Sequence, residues 1–333
     1  MADEAFPETF ELKLYRISPL GPAATTFLLG VVIYGSFLGI IALTSNLPAY
    51  YQDPQGQSTL RGAFILTLIL CAAFGVNFYE HRASLKDRTE MSRLMPGINW
   101  EHNSPGKPIR IATVIGAILG LAYIVVLFFR ETDGNVLTFF SSILLWYAPV
   151  LPLMLVLLLR GITQTVTTGR AMSRNINGKL KVDLYRHHEL ALFGRAALRG
   201  AFAWLIFVGV IMLFFTDDNA GGLTIPTLLI STSIAFYAFF NTMRPVRKKI
   251  LAAKEIELSA IRARLEKARN NLDDPLALQE IPALIALEHR IETIRNWPID
   301  LPTVAFIPLY MLVPVATLVA GAFLESLIGS IFF

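Results

Sequence analysis

The chain has 333 residues, of which 54% are apolar and 16% are charged, and its mean hydropathy is +0.54. Soluble domains carry about a quarter of charged residues, so this composition excludes an ordinary water-soluble protein and predicts a lipid-embedded one. The lone Cys71 excludes an intrachain disulfide and a multi-thiolate metal site. In a membrane protein, a net charge of +4 reflects topology and contact with anionic lipid, so nucleic acid is not an expected partner.

Seven segments are apolar enough to cross a hydrocarbon core, which needs roughly 20 such residues. We predict the spans at residues 24–44, 63–78, 111–129, 136–159, 200–216, 223–243 and 303–324. The second and fifth spans are short and need flanking residues to reach across. The second helix is expected to continue beyond the membrane over residues 80–94.

Lys and Arg residues define the predicted orientation. Of the 29 basic residues, 27 lie in residues 1–23, 79–110, 160–199 and 244–302. Because basic residues are retained on the cytoplasmic side, these segments are predicted to be cytoplasmic. The sequence therefore predicts an all-α integral membrane protein of the plasma (inner) membrane, with the N-terminus inside and the C-terminus outside.

Three regions follow from this topology. Residues 1–243 are predicted to form a six-span bundle with cytoplasmic loops, residues 244–297 a cytoplasmic antiparallel helical hairpin, and residues 298–333 the seventh transmembrane helix with a C-terminal tail. A basic collar opens the hairpin and is expected to contact anionic lipid headgroups. The collar consists of Arg244, Arg247, Lys248 and Lys249.

An apolar seam with heptad-like spacing predicts the first arm of the hairpin. Its members are Leu251, Leu258, Ile261, Leu265, Ala268 and Leu272, and Lys254 interrupts one position. A second seam on the return arm contains Leu284, Leu287, Ile291 and Ile294. The two seams either satisfy each other within one chain or meet neighbouring subunits of a homo-oligomer.

Proline and aspartate residues indicate where the return arm begins. Asp274 followed by Pro275 is a typical helix start. Pro282 either kinks the return helix or marks a later start, which would make the two arms unequal. Trp297 and Pro298 are predicted to end the hairpin at the membrane interface, where Trp is enriched.

Uncharged polar side chains in the last two spans are the candidates for a permeation path or a small-molecule cavity. The candidate pore or cavity residues are Thr227, Ser231, Tyr237, Asn241, Tyr310, Thr317 and Glu325. Ser and Thr side chains suit helix packing equally well, and Glu325 is either a solvated helix end or part of an outer pore mouth.

Prolines in two spans predict bent or broken helices with free backbone carbonyls. These candidate helix breaks are Pro149, Pro152, Pro308 and Pro314. Glycine pairs at Gly35/Gly39 and Gly116/Gly120 predict close helix approach and carry no chemistry.

The sequence contains no motif that predicts catalysis, a metal or a cofactor. No predicted span contains lysine, which excludes a retinal Schiff base, and His187 and His188 are adjacent and suit one metal poorly. The absence of a charged relay within the spans disfavours a proton-coupled pump. We therefore predict a non-enzymatic, homo-oligomeric channel or passive transporter for a small solute or ion. The alternative is a membrane scaffold or accessory subunit that recruits a cytoplasmic partner through the hairpin.

Overall fold

The computed structural model describes residues 10–44, 50, 52–95, 106–140, 142–180, 182–213, 221–271 and 275–298, and residues 312, 316 and 319. Within these residues the chain is helical and contains no strand. The helices are α1 Phe10–Ile17, α2 Pro22–Thr44, α3 Pro54–Leu94, α4 Gly106–Thr132, α5 Val136–Phe140, α6 Leu144–Lys179, α7 Ala191–Met212, α8 Gly221–Asn270 and α9 Pro275–Thr293. A 3₁₀ helix, Leu184–Leu190, precedes α7.

Five of these helices, α2, α3, α4, α6 and α7, are long and apolar enough to cross a membrane. They contain all or most of the first five predicted spans, so the chain is a helical membrane protein with at least five candidate spans. The sixth predicted span lies at the start of α8, which does not count among the five. The seventh is described only at Leu312, Ala316 and Val319, which are helical and exposed. Seven spans and the inside-to-outside orientation stay predictions.

A close pair of helices, α4 and α6, forms one side of the apolar bundle. A Cβ added to Gly116 would lie 2.7 Å from the Cα of Val156, and one added to Gly120 would overlap the Cα of Pro152. The predicted close approach at Gly116 and Gly120 is therefore confirmed. For Gly35 and Gly39 in α2, no atom of the described residues lies within 4 Å of such a Cβ.

Helix α6 runs through the two prolines predicted to break it. Pro149 and Pro152 both lie inside Leu144–Lys179, which is continuous as a helix. The helix is not interrupted at either proline, and the non-helical residues Ser142 and Ile143 lie before α6, so a bend at Pro149 or Pro152 stays a prediction. Because Pro152 packs against Gly120, which has no side chain, its ring is accommodated at a helix contact.

Three helices, α3, α6 and α8, are much longer than a membrane is thick. They have 41, 36 and 50 residues, which correspond to roughly 60, 55 and 75 Å, against a hydrocarbon core of about 30 Å. The predicted helical continuation over residues 80–94 is confirmed, since α3 ends at Leu94. The chain therefore builds a second helical region beyond the apolar bundle.

We call this second region the extension domain. It comprises the outer ends of α3, α6 and α8, the 3₁₀ helix, the start of α7, and α9. Its apolar core includes Met91, Met172, Ile176, Phe193, Met243, Ile250, Ile261 and Ile291. A separate core fills the apolar bundle and includes Phe37, Ile41, Leu70, Phe74, Trp146 and Leu157.

The second half of α8 and the return helix α9 form the predicted antiparallel hairpin. Ile261 and Ala268 on α8 are buried together with Leu284 and Ile291 on α9, so the two seams contact each other within one chain. Helix α9 begins at Pro275 as predicted and continues through Pro282, so the alternative start at Pro282 is wrong. Leu251 is exposed, and Ile250 takes its place in the seam.

Candidate functional site

A layer of ion pairs lies between the two apolar cores. Along α3 it falls between Phe74 of the bundle core and Met91 of the extension core, and along α6 it begins just after Leu157. We call this set the charged layer. Its members are Glu11, Asp87, Glu90, Arg160, Arg195 and Arg199.

The most buried pair of the charged layer joins the short helix α1 to α6. Arg160 places Nη1 3.2 Å from Oε2 of Glu11 and Nη2 3.1 Å from Oε1, a bidentate arrangement. The side chains of Arg160 and Glu11 are only 11% and 3% exposed. Arg160 Nε is buried and has no partner in the described part of the chain. This pair neutralises charge where the apolar bundle ends.

Neighbouring contacts fix α1 at the same level. Tyr15, one turn after Glu11, donates or accepts a hydrogen bond of 2.7 Å with the Thr26 hydroxyl and stacks at 4.5 Å on Phe78. Phe10 meets the edge of Phe74 at 5.7 Å. Helix α1 is therefore wedged against α2, α3 and α6, with Glu11 and Tyr15 on its inner face.

Two further ion pairs join α3 to the start of α7. Arg199 donates to the Asp87 carboxylate in a partly buried pair, and Arg195 lies 3.6 Å from Glu90 in a more exposed one. Arg195 and Arg199 are one helical turn apart, as are Asp87 and Glu90, so the two helices are joined over one turn. The ion pairs of the charged layer thus join α1 to α6 and, separately, α3 to α7.

Lys254 is the polar residue that interrupts the predicted seam of the hairpin. Its Nζ donates to the carbonyls of Glu292 at 3.1 Å and Ile294 at 2.6 Å, and to Asn296 Oδ1 at 3.0 Å. These carbonyls lie at the end of α9, where a helix has unpaired acceptors and a negative dipole end. Burial lowers the pKa of Lys254, and the Glu292 carboxylate opposes that shift. Lys254, which interrupts the seam, therefore caps the C-terminal end of the return helix α9.

The predicted pore or cavity residues fall into two groups. Tyr237 and Asn241 lie in α8 with exposed side chains. Thr227 and Ser231 lie in the same helix, but their side chains are not among those described. The remaining candidates lie wholly outside the described residues: Tyr310, Thr317, Glu325, Pro308 and Pro314. A path through the sixth and seventh spans stays a prediction.

The basic collar lies on α8 directly beyond the predicted sixth span. Arg244, Arg247 and Lys248 are exposed, whereas Lys249 is half-buried. The Arg247 guanidinium carbon lies 4.8 Å from the centre of the Trp297 ring, and Trp297 also meets Phe240 at 5.6 Å. The chain thus returns from α9 to the level of the collar, as the predicted end of the hairpin at Trp297 requires.

An exposed apolar row runs along the outer face of α9. Leu278 and Ile285 are 50% and 52% exposed, and Pro282 between them is also exposed. Spacings of four and three residues place all three on one helix face. The inner seam of α9 is already covered by α8, so this row is additional apolar surface.

Sequence reasoning did not find the charged layer. Arg160 follows a predicted span directly, and the natural interpretation of such a residue is a topology signal. Its partner Glu11 is 149 residues away in the chain. The spacing of one helical turn between Glu11 and Tyr15 was the available signal that α1 has an inner polar face.

In the described residues, no group of His, Cys, Asp and Glu side chains is arranged to hold a metal ion.

Comparison of the chain with protein-family models, with curated proteins and with solved structures finds no match.

Proposed function

We propose that this chain is a membrane-anchored scaffold whose extension domain docks a soluble partner on the outer face of α9. The observation that carries the proposal is the exposed row Leu278, Pro282 and Ile285. This row belongs to a region predicted to lie in water, where exposed apolar side chains aligned on one helix face favour contact with another protein.

The hairpin's own packing supports this assignment. Ile261 on α8 and Leu284 and Ile291 on α9 bury the inner seam, so the hairpin is complete without its outer row. Arg262 adds ion pairs to Glu288 at 2.7 Å and Glu292 at 3.0 Å along the edge of the pair. The outer row is therefore available to a partner without opening the hairpin.

The continuity of α8 supports the role of an anchor. One helix of 50 residues contains the predicted sixth span, the basic collar and the first arm of the hairpin. Pro245 lies inside this helix and does not interrupt it. A partner docked on α9 would therefore be held at a fixed distance from the membrane.

Site-specific photo-crosslinking in cells tests this proposal. A photoreactive amino acid at Leu278 or Ile285 should give one adduct of defined mass, and the same amino acid at Glu280 should not. Glu280 is exposed on the same helix but two residues from Leu278, which places it on a different face. The substitution Leu278→Glu should abolish the adduct formed through position 285. Equal adducts at positions 280 and 285, or none at either, would overturn the docking proposal.

The channel alternative has its own test in reconstituted liposomes. A scaffold predicts that the purified protein gives no flux of ions or small solutes above empty liposomes. Flux that falls in Ser231→Leu or Tyr310→Ala would instead favour a path through the sixth and seventh predicted spans. In that case the extension domain would serve as the anchor of a channel.

A further inference from the structure

Along α8, the exposed side chains of one face are first aliphatic, then aromatic and then basic. Leu229 and Ile230 are exposed in the middle of the predicted sixth span, and Tyr237 and Phe240 follow with 72% and 45% exposure. The exposed basic residues Arg244, Arg247 and Lys248 come next. Their spacing places the aromatic and the basic side chains on one face of the helix.

This order matches the layers that a helix meets as it leaves a leaflet. Aliphatic side chains suit the acyl chains, Tyr and Phe suit the interface, and Lys and Arg suit anionic headgroups. A polypeptide ligand would not require aliphatic, aromatic and basic side chains in this order along the helix. The face therefore fits a phospholipid standing parallel to the helix.

Trp297, which follows the return helix α9, packs against this face of α8. Its ring packs at 5.6 Å on Phe240 and stacks under the Arg247 guanidinium at 4.8 Å. An Arg side chain stacked on an aromatic ring keeps its N–H donors free for phosphate oxygens while its rotamers are restricted. Trp297 thus joins the aromatic part of the face to the basic part.

The three basic side chains have no acidic partner in the described part of the chain. Arg244, Arg247 and Lys248 stand within about one turn of one another, and none of them forms an ion pair there. Like charges so placed repel each other, and a bound anion removes that repulsion.

We infer that Arg244, Arg247 and Lys248, with Trp297, form a binding site for the headgroup of an anionic phospholipid. The phosphate contacts the guanidinium and ammonium donors, and the glycerol and upper acyl chains lie along Phe240 and Tyr237. Lys249 is half-buried on a different side of the helix and is not part of the site. The four-residue collar expected from the sequence is thereby narrowed to three basic residues and one aromatic ring.

Native mass spectrometry of the full-length protein in detergent tests this site. The probes are phosphatidylglycerol and phosphatidylcholine, added separately, with soluble glycerol phosphate as the headgroup-only control. Wild-type protein should retain phosphatidylglycerol and lose phosphatidylcholine, and glycerol phosphate should not compete. Each basic side chain near a membrane surface contributes about fivefold in affinity, so R244Q/R247Q/K248Q should weaken retention by up to about a hundredfold.

A matched variant separates this site from the effect of net charge. The substitutions R264Q/K267Q/R269Q remove the same charge from the same helix, at exposed positions about 30 Å further along it. This variant should retain phosphatidylglycerol as the wild type does. Equal losses in the two variants, or equal retention of the two lipids, would overturn the proposal. Competition by glycerol phosphate would show a soluble anion site and would overturn the lipid assignment.

Discussion

Two antiparallel helix pairs in this chain are joined by opposite means. In the apolar bundle, α4 and α6 meet at Gly116 and Gly120, where the two backbones are in contact and no charge is present. In the extension domain, α8 and α9 are joined by large apolar side chains such as Ile261 and Ile291, with Arg262 ion pairs at the edge.

The difference indicates which solvent, lipid or water, surrounds each helix pair. Lipid tails are as apolar as leucine, so burying a large side chain between two membrane helices gains little, and close backbone contact must supply the attraction. Water gives a driving force for burying Ile and Leu, and it solvates the charged edge. The two pairs therefore support the assignment of one region to lipid and the other to water.

The buried ion pair of the charged layer should give the largest effect. Glu11→Ala leaves the Arg160 guanidinium buried without a counter-charge, which should lower the free energy of unfolding by about 3–5 kcal/mol. Thermal unfolding in detergent, followed by circular dichroism, measures this loss. Glu131→Ala removes one partner of the exposed pair with Arg130 and should change little.

A double variant distinguishes charge from packing at the same place. Glu11→Leu combined with Arg160→Met removes both charges and keeps apolar volume, so it should recover most of the lost stability. If the double variant is as unstable as Glu11→Ala, the pair acts through shape and the electrostatic explanation is wrong.

The glycine contact should give the next largest effect. Gly120→Ala places a methyl group on the backbone of Pro152, so α4 and α6 must separate, at a cost of about 3 kcal/mol. Gly35→Ala adds the same methyl group where no atom of the described residues lies within 4 Å, so its melting temperature should match the wild type. Similar losses in both variants would contradict the claim that Gly120 packs against a neighbouring helix and Gly35 does not.

Lys254 tests whether the hairpin needs its polar residue. Lys254→Ala leaves the carbonyls at the end of α9 without their donor, which should cost about 2 kcal/mol. Hydrogen exchange of the last turn of α9 should rise with the loss of stability. Lys267→Ala, at an exposed position on the same helix, is the control. Unchanged exchange at the end of α9 would show that Lys254 is not its cap.

Arg262 should give the smallest effect, because its side chain is 58% exposed. Arg262→Ala should lower the melting temperature slightly at low salt. The difference from the wild type should vanish near 1 M salt, where the screening length is about 3 Å. A loss that persists at high salt would mean that the arginine stem contributes packing rather than charge.

Local features of the fold were accessible from the sequence. The first five predicted spans lie largely within α2, α3, α4, α6 and α7, because mean hydropathy is a property of a short window. The start of α9 at Pro275 followed from helix-capping chemistry. Pro149 and Pro152 lie within the continuous helix α6, and the sequence alone did not show that Pro152 packs against Gly120 of a neighbouring helix.

The charged layer was much less accessible. Glu11 and Arg160, or Asp87 and Arg199, are more than a hundred residues apart, and each alone resembles an ordinary surface charge. Lys254 was visible as an interruption of the seam, but its acceptors depend on where α9 ends relative to α8. The exposed row on α9 became visible once the inner seam was known to face α8.

The sequence by itself determined that this chain is helical, that it belongs in a membrane, and that its basic residues gather at one set of segments. These properties are sums over neighbouring residues. Only the tertiary structure decided which glycines pack, which charges pair and which apolar rows stay exposed. Each of those depends on the register between two helices that are distant in the chain, and neither helix encodes that register alone.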